Sequence, residues 1–102
     1  MNLSQRSVCL LREKGYLVSN VEKYNAFTKR KSDLFGFIDL VAICKNETLA
    51  VQVTSKSNMS SRIRKIEESE NLAMVLAANW RIVVHGWFKN TKNRWELKEF
   101  EF

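Results

Sequence analysis

GFIDLVAICKNETLAVQVTS, from Gly36 to Ser55, is the stretch that decides how this chain folds. Two runs of aliphatic and β-branched residues flank Lys45, Asn46 and Glu47. That pattern predicts two strands joined by a tight polar turn, where asparagine tolerates a left-handed backbone. Each run carries one residue foreign to an apolar strand, Asp39 in the first and Gln52 in the second. Side chains alternate across a strand, so Phe35, Phe37, Asp39, Val41 and Ile43 are expected on one face of the first. In the second, Leu49, Val51 and Val53 share one face, and Ala50, Gln52, Thr54 and Lys56 share the other. Paired antiparallel, the two strands bring Asp39 close to Gln52.

A carboxylate in apolar surroundings costs several kcal/mol unless it is neutralised, paired or bound to a cation. Asp39 is therefore either a structural aspartate, hydrogen-bonded or paired with Lys56 or Arg64, or a ligand. In the second case a divalent ion sits between Asp39, the side-chain oxygen of Gln52, a backbone carbonyl and waters. Mg2+ suits that oxygen set, because it keeps several waters and takes only one or two carboxylates.

Outward from this pair, the pattern predicts a helix from Leu3 to about Lys14, opened by a capping box of Asn2 and Gln5 and stopped at Gly15. Leu3, Ser7, Leu10 and Leu11 lie along one of its faces. Tyr16 to Tyr24 fits a strand, and Asn25 to Asp33 a basic, polar loop. Beyond the quoted stretch the period turns helical, with Met59, Ile63 and Ile66 at i, i+4 and i+7. Leu72 to Ala78 reads as a second apolar helical segment capped by Asn79, and Arg81–Phe88 with Arg94–Phe102 as a closing hairpin around Asn90 and Asn93. The expectation is a single domain over residues 1–102, an α/β fold with a mixed central sheet in the order α-β-β-β-α-β-β.

The chain has 102 residues and a net charge of +6, and its pI near 9.6 points to a polyanion as partner. Lys29, Arg30 and Lys31 form a basic run just before the quoted stretch, and Lys56, Arg62, Arg64 and Lys65 another just after it. Two such runs flanking the same pair of polar strand residues favour nucleic acid over a merely solvated surface. No apolar run approaches the ~20 residues of a membrane helix, and the N-terminus lacks the apolar core of a signal peptide, so the expected setting is soluble and cytoplasmic. Cys9 and Cys44 are too few for a disulfide scaffold and are expected as small buried hydrophobes. His85 alternates with Val83 and Trp87, as a packed strand residue does, and Asp33 ends the basic loop, where it is either a second ligand or, the favoured reading, a turn or capping residue.

The element order and the two polar strand residues resemble the PD-(D/E)XK nuclease superfamily, and within it the Holliday junction resolvase and VRR-NUC groups. Gly36-Phe37-Ile38-Asp39 is similar to the Gly-x-Pro-Asp of resolvases, with isoleucine in the proline position. In Leu49-Ala50-Val51-Gln52-Val53-Thr54-Ser55, Gln52 stands at the position of the family's second acid and Thr54 at that of its lysine. The resemblance implies a restriction-endonuclease-like fold and an endonuclease that uses Mg2+ or Mn2+, held by Asp39 and Gln52. It also implies branched or structured DNA as substrate and a homodimer. Lys56, two residues further on the same face, or Lys65 on the next helix, would stand in for the lysine that supports the attacking water. Gln5 stands roughly where resolvases carry a glutamate on helix one. Lys29, Arg30, Lys31, Arg62, Arg64 and Lys65 would hold phosphates, and such contacts position nucleic acid without reading its sequence. With Gln52 and Thr54 in place of acid and lysine, the alternative is a catalytically degenerate module of the same fold that binds nucleic acid or a protein partner without cutting.

Overall fold

In the computed structural model, which describes residues 1–102, a mixed five-stranded sheet lies between helices on both faces. Helix α1 (Leu3–Glu13) opens with the expected capping box. The Asn2 side chain accepts from the Gln5 N–H at 2.8 Å, and the Gln5 side chain accepts from the Asn2 N–H at 3.0 Å. Strand β1 (Leu17–Asn20) follows Gly15, whose φ of +94° makes the left-handed turn that a side chain would disfavour.

The predicted strand Tyr16–Tyr24 is interrupted. The Asn20 side chain accepts from the Glu22 N–H at 2.9 Å, an Asx-type turn that ends the extended run. The chain then makes a separate two-stranded ribbon, β2 (Lys23–Asn25) and β3 (Arg30–Ser32), where a loop was expected. A second turn follows at Phe35 and Gly36, both at positive φ, and is closed by the Leu34–Ile38 bridge. The alternation expected from Phe35 therefore begins later, because β4 runs from Leu40 to Cys44. Phe37 and Ile38 are both buried from consecutive positions in this turn.

Strand β5 (Glu47–Ser55) pairs antiparallel with β4 across the Lys45–Asn46 turn, where the left-handed residue is Lys45 rather than the asparagine. A short 3-10 turn (Lys56–Asn58), α2 (Met59–Glu67) and α3 (Leu72–Ala77) carry the chain to β6 (Arg81–Lys89). Strand β6 lies parallel to β5, as a helical crossover permits. Strand β7 (Trp95–Glu101) closes the sheet antiparallel to β6, giving the order β1-β4-β5-β6-β7. The hairpin turn is held by the Asn90 side chain, which accepts from the N–H groups of Lys92 and Arg94, with Asn93 at positive φ.

Two apolar clusters, one on each face, hold the layers together. Leu11 of α1 packs with Leu40, Ala42, Leu49, Val51 and Val83 on one side. Met59, Ile66 and Val75 of α2 and α3 pack with Phe37, Ile38, Ala50, Ile82 and Val84 on the other. At the sheet end where β5 and β6 begin, Arg81 donates to both Glu47 and Glu101, and the Tyr16 hydroxyl donates to Glu47 at 2.5 Å. Contrary to expectation Cys9 is exposed and Cys44 half-buried, since the buried stripe of α1 runs through Ser7 and Leu11 instead. No helix is long and apolar enough to cross a membrane.

The layers approach closely at Gly86. A Cβ there would overlap the Met59 side chain and come within 3.2 Å of the Lys56 Cα. Gly86→Ala is expected to destabilise the fold by about 1–3 kcal/mol, the usual range for overpacking. Met59→Ala in the same chain should recover part of that loss, a non-additivity that chemical denaturation of the two single variants and the double variant measures.

Candidate functional site

Asp39 is the residue immediately before β4, and the antiparallel register that pairs Leu40 with Val51 sets it beside Gln52. Its backbone is fixed from both sides. Its N–H donates to the Val51 carbonyl at 2.9 Å, and its carbonyl accepts from the Val21 N–H at 2.9 Å. The side chain is 5 % exposed. Its Oδ2 accepts two hydrogen bonds from β5, from Gln52 Nε2 at 2.6 Å and from the Val53 N–H at 2.8 Å.

Two further carboxylates converge on it. The Asx turn at Asn20 redirects the chain so that Glu22 faces inward, and the end of the β2–β3 ribbon delivers Asp33. Glu22, Asp33 and Asp39 each place a carboxylate oxygen within 4.8 Å of the others. They line a cavity of about 260 Å³ together with Asn2, Leu3 and Ser4 at the start of α1, and with Lys31, Gln52, Val53 and Arg62. Burial pushes the Asp39 carboxyl up to about 7, the hydrogen bond and charge of Asp33 and the charge of Glu22 push the same way, and the Val53 N–H opposes them.

Gln52 donates its amide N–H to Asp39, which leaves Gln52 Oε1 buried with no hydrogen-bond partner. A buried amide oxygen without a donor is costly. The three carboxylates form an all-oxygen donor set, the kind that a hard divalent cation satisfies. The acidic cluster can hold a metal ion, and Gln52 lines the same cavity.

The basic residues divide. Lys31 and Arg62 reach the cavity wall from opposite elements, β3 and α2. Lys65 Nζ lies 3.6 Å from Asp33 Oδ2, so a lysine of the following helix stands at the acids. Lys29, Arg30 and Arg64 are exposed outside the cavity lining. Lys56 is not where strand alternation placed it. The chain leaves β5 at Ser55 into the 3-10 turn, and the Lys56 ammonium sits 4.4 Å from the centre of the Phe88 ring, outside the acid cavity. Thr54 is buried and also lies outside the lining. Neither Lys56 nor Arg64 pairs with Asp39. Gln5 is engaged in the cap of α1.

Glu22 is the part missed from the sequence, because it falls inside the expected strand Tyr16–Tyr24, whereas Asp33 stands in the cluster, in keeping with the less favoured of its two readings, a second ligand. The one local signal was Asn20 two residues ahead of Glu22, a side chain suited to ending a strand. His85 is a packed strand residue, 1 % exposed. Trp87 Nε1 donates to Ser7 Oγ at 2.8 Å, and Ser7 Oγ shares a hydrogen bond with His85 Nδ1 at 2.9 Å. Burial, with the nearby charge of Lys14, pushes the imidazole down to about 4, and it stays neutral at physiological pH.

The two shifted groups act on stability with opposite sign. Asp39 is raised from 3.8 to about 7, so its contribution is complete below about pH 4 and is lost as pH rises through 7. His85 is lowered from 6.5 to about 4, so its contribution is complete above about pH 6.5 and is lost on acidification. Between about pH 6.5 and 7.5 the Asp39 slope outweighs the fading His85 slope. In EDTA the chain should lose stability across that window, and Asp39→Asn should remove the loss. Thermal midpoints measured at closely spaced pH values check it, and an unchanged slope in the variant refutes it.

No family model matches this chain, and no curated protein or solved structure does so either.

Proposed function

We propose that this chain is a metal-dependent nuclease of restriction-endonuclease-like architecture that hydrolyses phosphodiester bonds in branched or structured DNA. The observation that carries this reading is a cavity with an acidic floor and a basic rim, built where β4 and β5 meet. Glu22, Asp33 and Asp39 supply the floor, and Lys31, Arg62 and Lys65 the rim. A phosphodiester is recognised by cations on its non-bridging oxygens, and its hydrolysis requires stabilisation of the charge that develops there. The order of elements around the site also supports the architecture: helix, three sheet strands, helices, then two strands.

Asp39, Asp33, Glu22 and the Gln52 amide oxygen would hold Mg2+ or Mn2+. When bound, such an ion lowers the pKa of water and offsets phosphate charge. The chain's own residues do the rest. Lys31 and Arg62 hold the backbone on either side of the cavity. The N-terminus of α1, with Leu3 and Ser4 in the lining, adds a positive potential toward phosphate. Lys65, already paired with Asp33, takes the place that the superfamily pattern gives to a strand lysine, because Thr54 has no charge and Lys56 points away. A homodimer would present two such cavities to a branched substrate.

One observation favours the second reading, a module that binds without cutting. Where the superfamily pattern has a second strand acid, Gln52 donates a hydrogen bond to Asp39. A neutral amide holds a cation more weakly than a carboxylate does. The two readings separate on incubating the protein with linear, nicked, flapped and four-way DNA in Mg2+ or Mn2+. Cleavage should appear on the branched forms and fall at least about a hundredfold in Asp39→Ala, since even loss of an outer partner of a metal ligand costs ten- to a hundredfold. Cleavage that persists in the variant rejects the site, and absence of cutting on every substrate favours the binding module.

A further inference from the structure

The β2–β3 ribbon stands apart from the five-stranded sheet and carries the most exposed aromatic ring of the chain, Phe27, 99 % exposed at its tip. The tip is built to present it. The Asn25 side chain accepts from the Phe27 N–H at 2.9 Å and the Thr28 N–H at 3.4 Å, and Lys29 takes a φ of 54°. Tyr24, 64 % exposed, pairs in register with Lys31, so the two share one face of the ribbon. Lys31 lines the acid cavity. A line of side chains thus runs from the cavity through Lys31 and Tyr24 to Phe27, and from Lys23 to Ser32 the segment contains four cations and no acid.

Resting on the nucleic-acid reading above, we propose that this ribbon is a finger for unpaired nucleotides. Tyr24 and Phe27 stack on the bases of a single-stranded segment, and Lys29, Arg30 and Lys31 hold its phosphates as it leaves the cavity. Aromatic rings with interleaved cations are the elements of single-strand binding, because every base offers a π-face regardless of sequence. A ring in water at a loop tip gains nothing for the fold, and a duplex hides its base faces from it. Rings and cations of this kind also suit an anionic bilayer. Continuity with a cavity that carries Lys31 and Arg62 beside a cluster of carboxylates able to hold a metal favours the nucleic acid.

The test is fluorescence anisotropy with labelled oligonucleotides and the full chain in EDTA, where no cutting intervenes. Single-stranded and forked DNA should bind more tightly than a blunt duplex of equal length. Phe27→Ala should weaken single-strand binding on the order of tenfold, Phe27→Trp should restore it, and neither should alter duplex binding. Lys31→Gln should lower the salt slope by about one. The thermal midpoint of Phe27→Ala should equal that of the parent. The finger is overturned by unchanged single-strand affinity in Phe27→Ala, by tighter binding of the blunt duplex, or by a fallen thermal midpoint, which would show the ring packed in the fold. Loss of binding to phosphatidylglycerol vesicles with DNA binding intact would overturn it in favour of a membrane surface. Finger-dependent binding without cleavage on any substrate sinks the nuclease proposal alone, while cleavage by a chain indifferent to Phe27→Ala sinks the finger alone.

Discussion

The Asp39 carboxylate is held by β5 while its own backbone is pinned between β5 and Val21, and the local architecture follows from that double attachment. A buried anion must be solvated by the protein, and here Gln52 and the Val53 N–H do part of that work. The same bonds lock the register in which Leu40 meets Val51. A slip of one residue would turn Asp39 toward the apolar cluster that holds Leu11 and take Leu40, which is completely buried, out of it. Site and sheet therefore share one set of bonds.

Charge balance is the second constraint. Three carboxylates within 4.8 Å of one another repel unless a proton, an ammonium or a metal ion intervenes. A proton is the first means, and the raised Asp39 pKa expresses it. Lys65 beside Asp33 is the second. A divalent cation would be the third, and it would displace the proton, since a ligating carboxylate must be deprotonated. The cluster thus stays poised to exchange one positive charge for another, while Lys31 and Arg62 keep the rim attractive to phosphate.

The polar group buried across β6 behaves differently. Ser7, His85 and Trp87 are joined directly, Trp87 donating to Ser7 and Ser7 hydrogen-bonded to His85. Only the far nitrogen of His85 looks outward, 3.8 Å from Glu99. This chain of neutral hydrogen bonds ties α1 to the sheet. Gln52, with one amide oxygen unmatched, is the contrasting case, and this difference distinguishes packing from a site.

Local chemistry accounts for what the sequence determined by itself. The period of apolar residues placed α1, α2, α3 and the four long strands, the Asn2–Gln5 pair announced its capping box, and Asn79 took the left-handed turn expected of it. The spacing of two polar residues in apolar strands likewise foretold the meeting of Asp39 and Gln52, because an antiparallel hairpin leaves one register that buries both strands well. Glu22 escaped, as did the true position of Lys56, and Asp33 was legible as a ligand only behind a turn role. Each depends on where the chain turns out of a strand, and a turn moves a side chain by more than any alternation rule can follow. The second and third carboxylates, the lysine that stands beside them and the direction of the aromatic ribbon were settled only in three dimensions. Charges gather there from residues with no local relation to one another, and only packing of the whole chain brings them within reach.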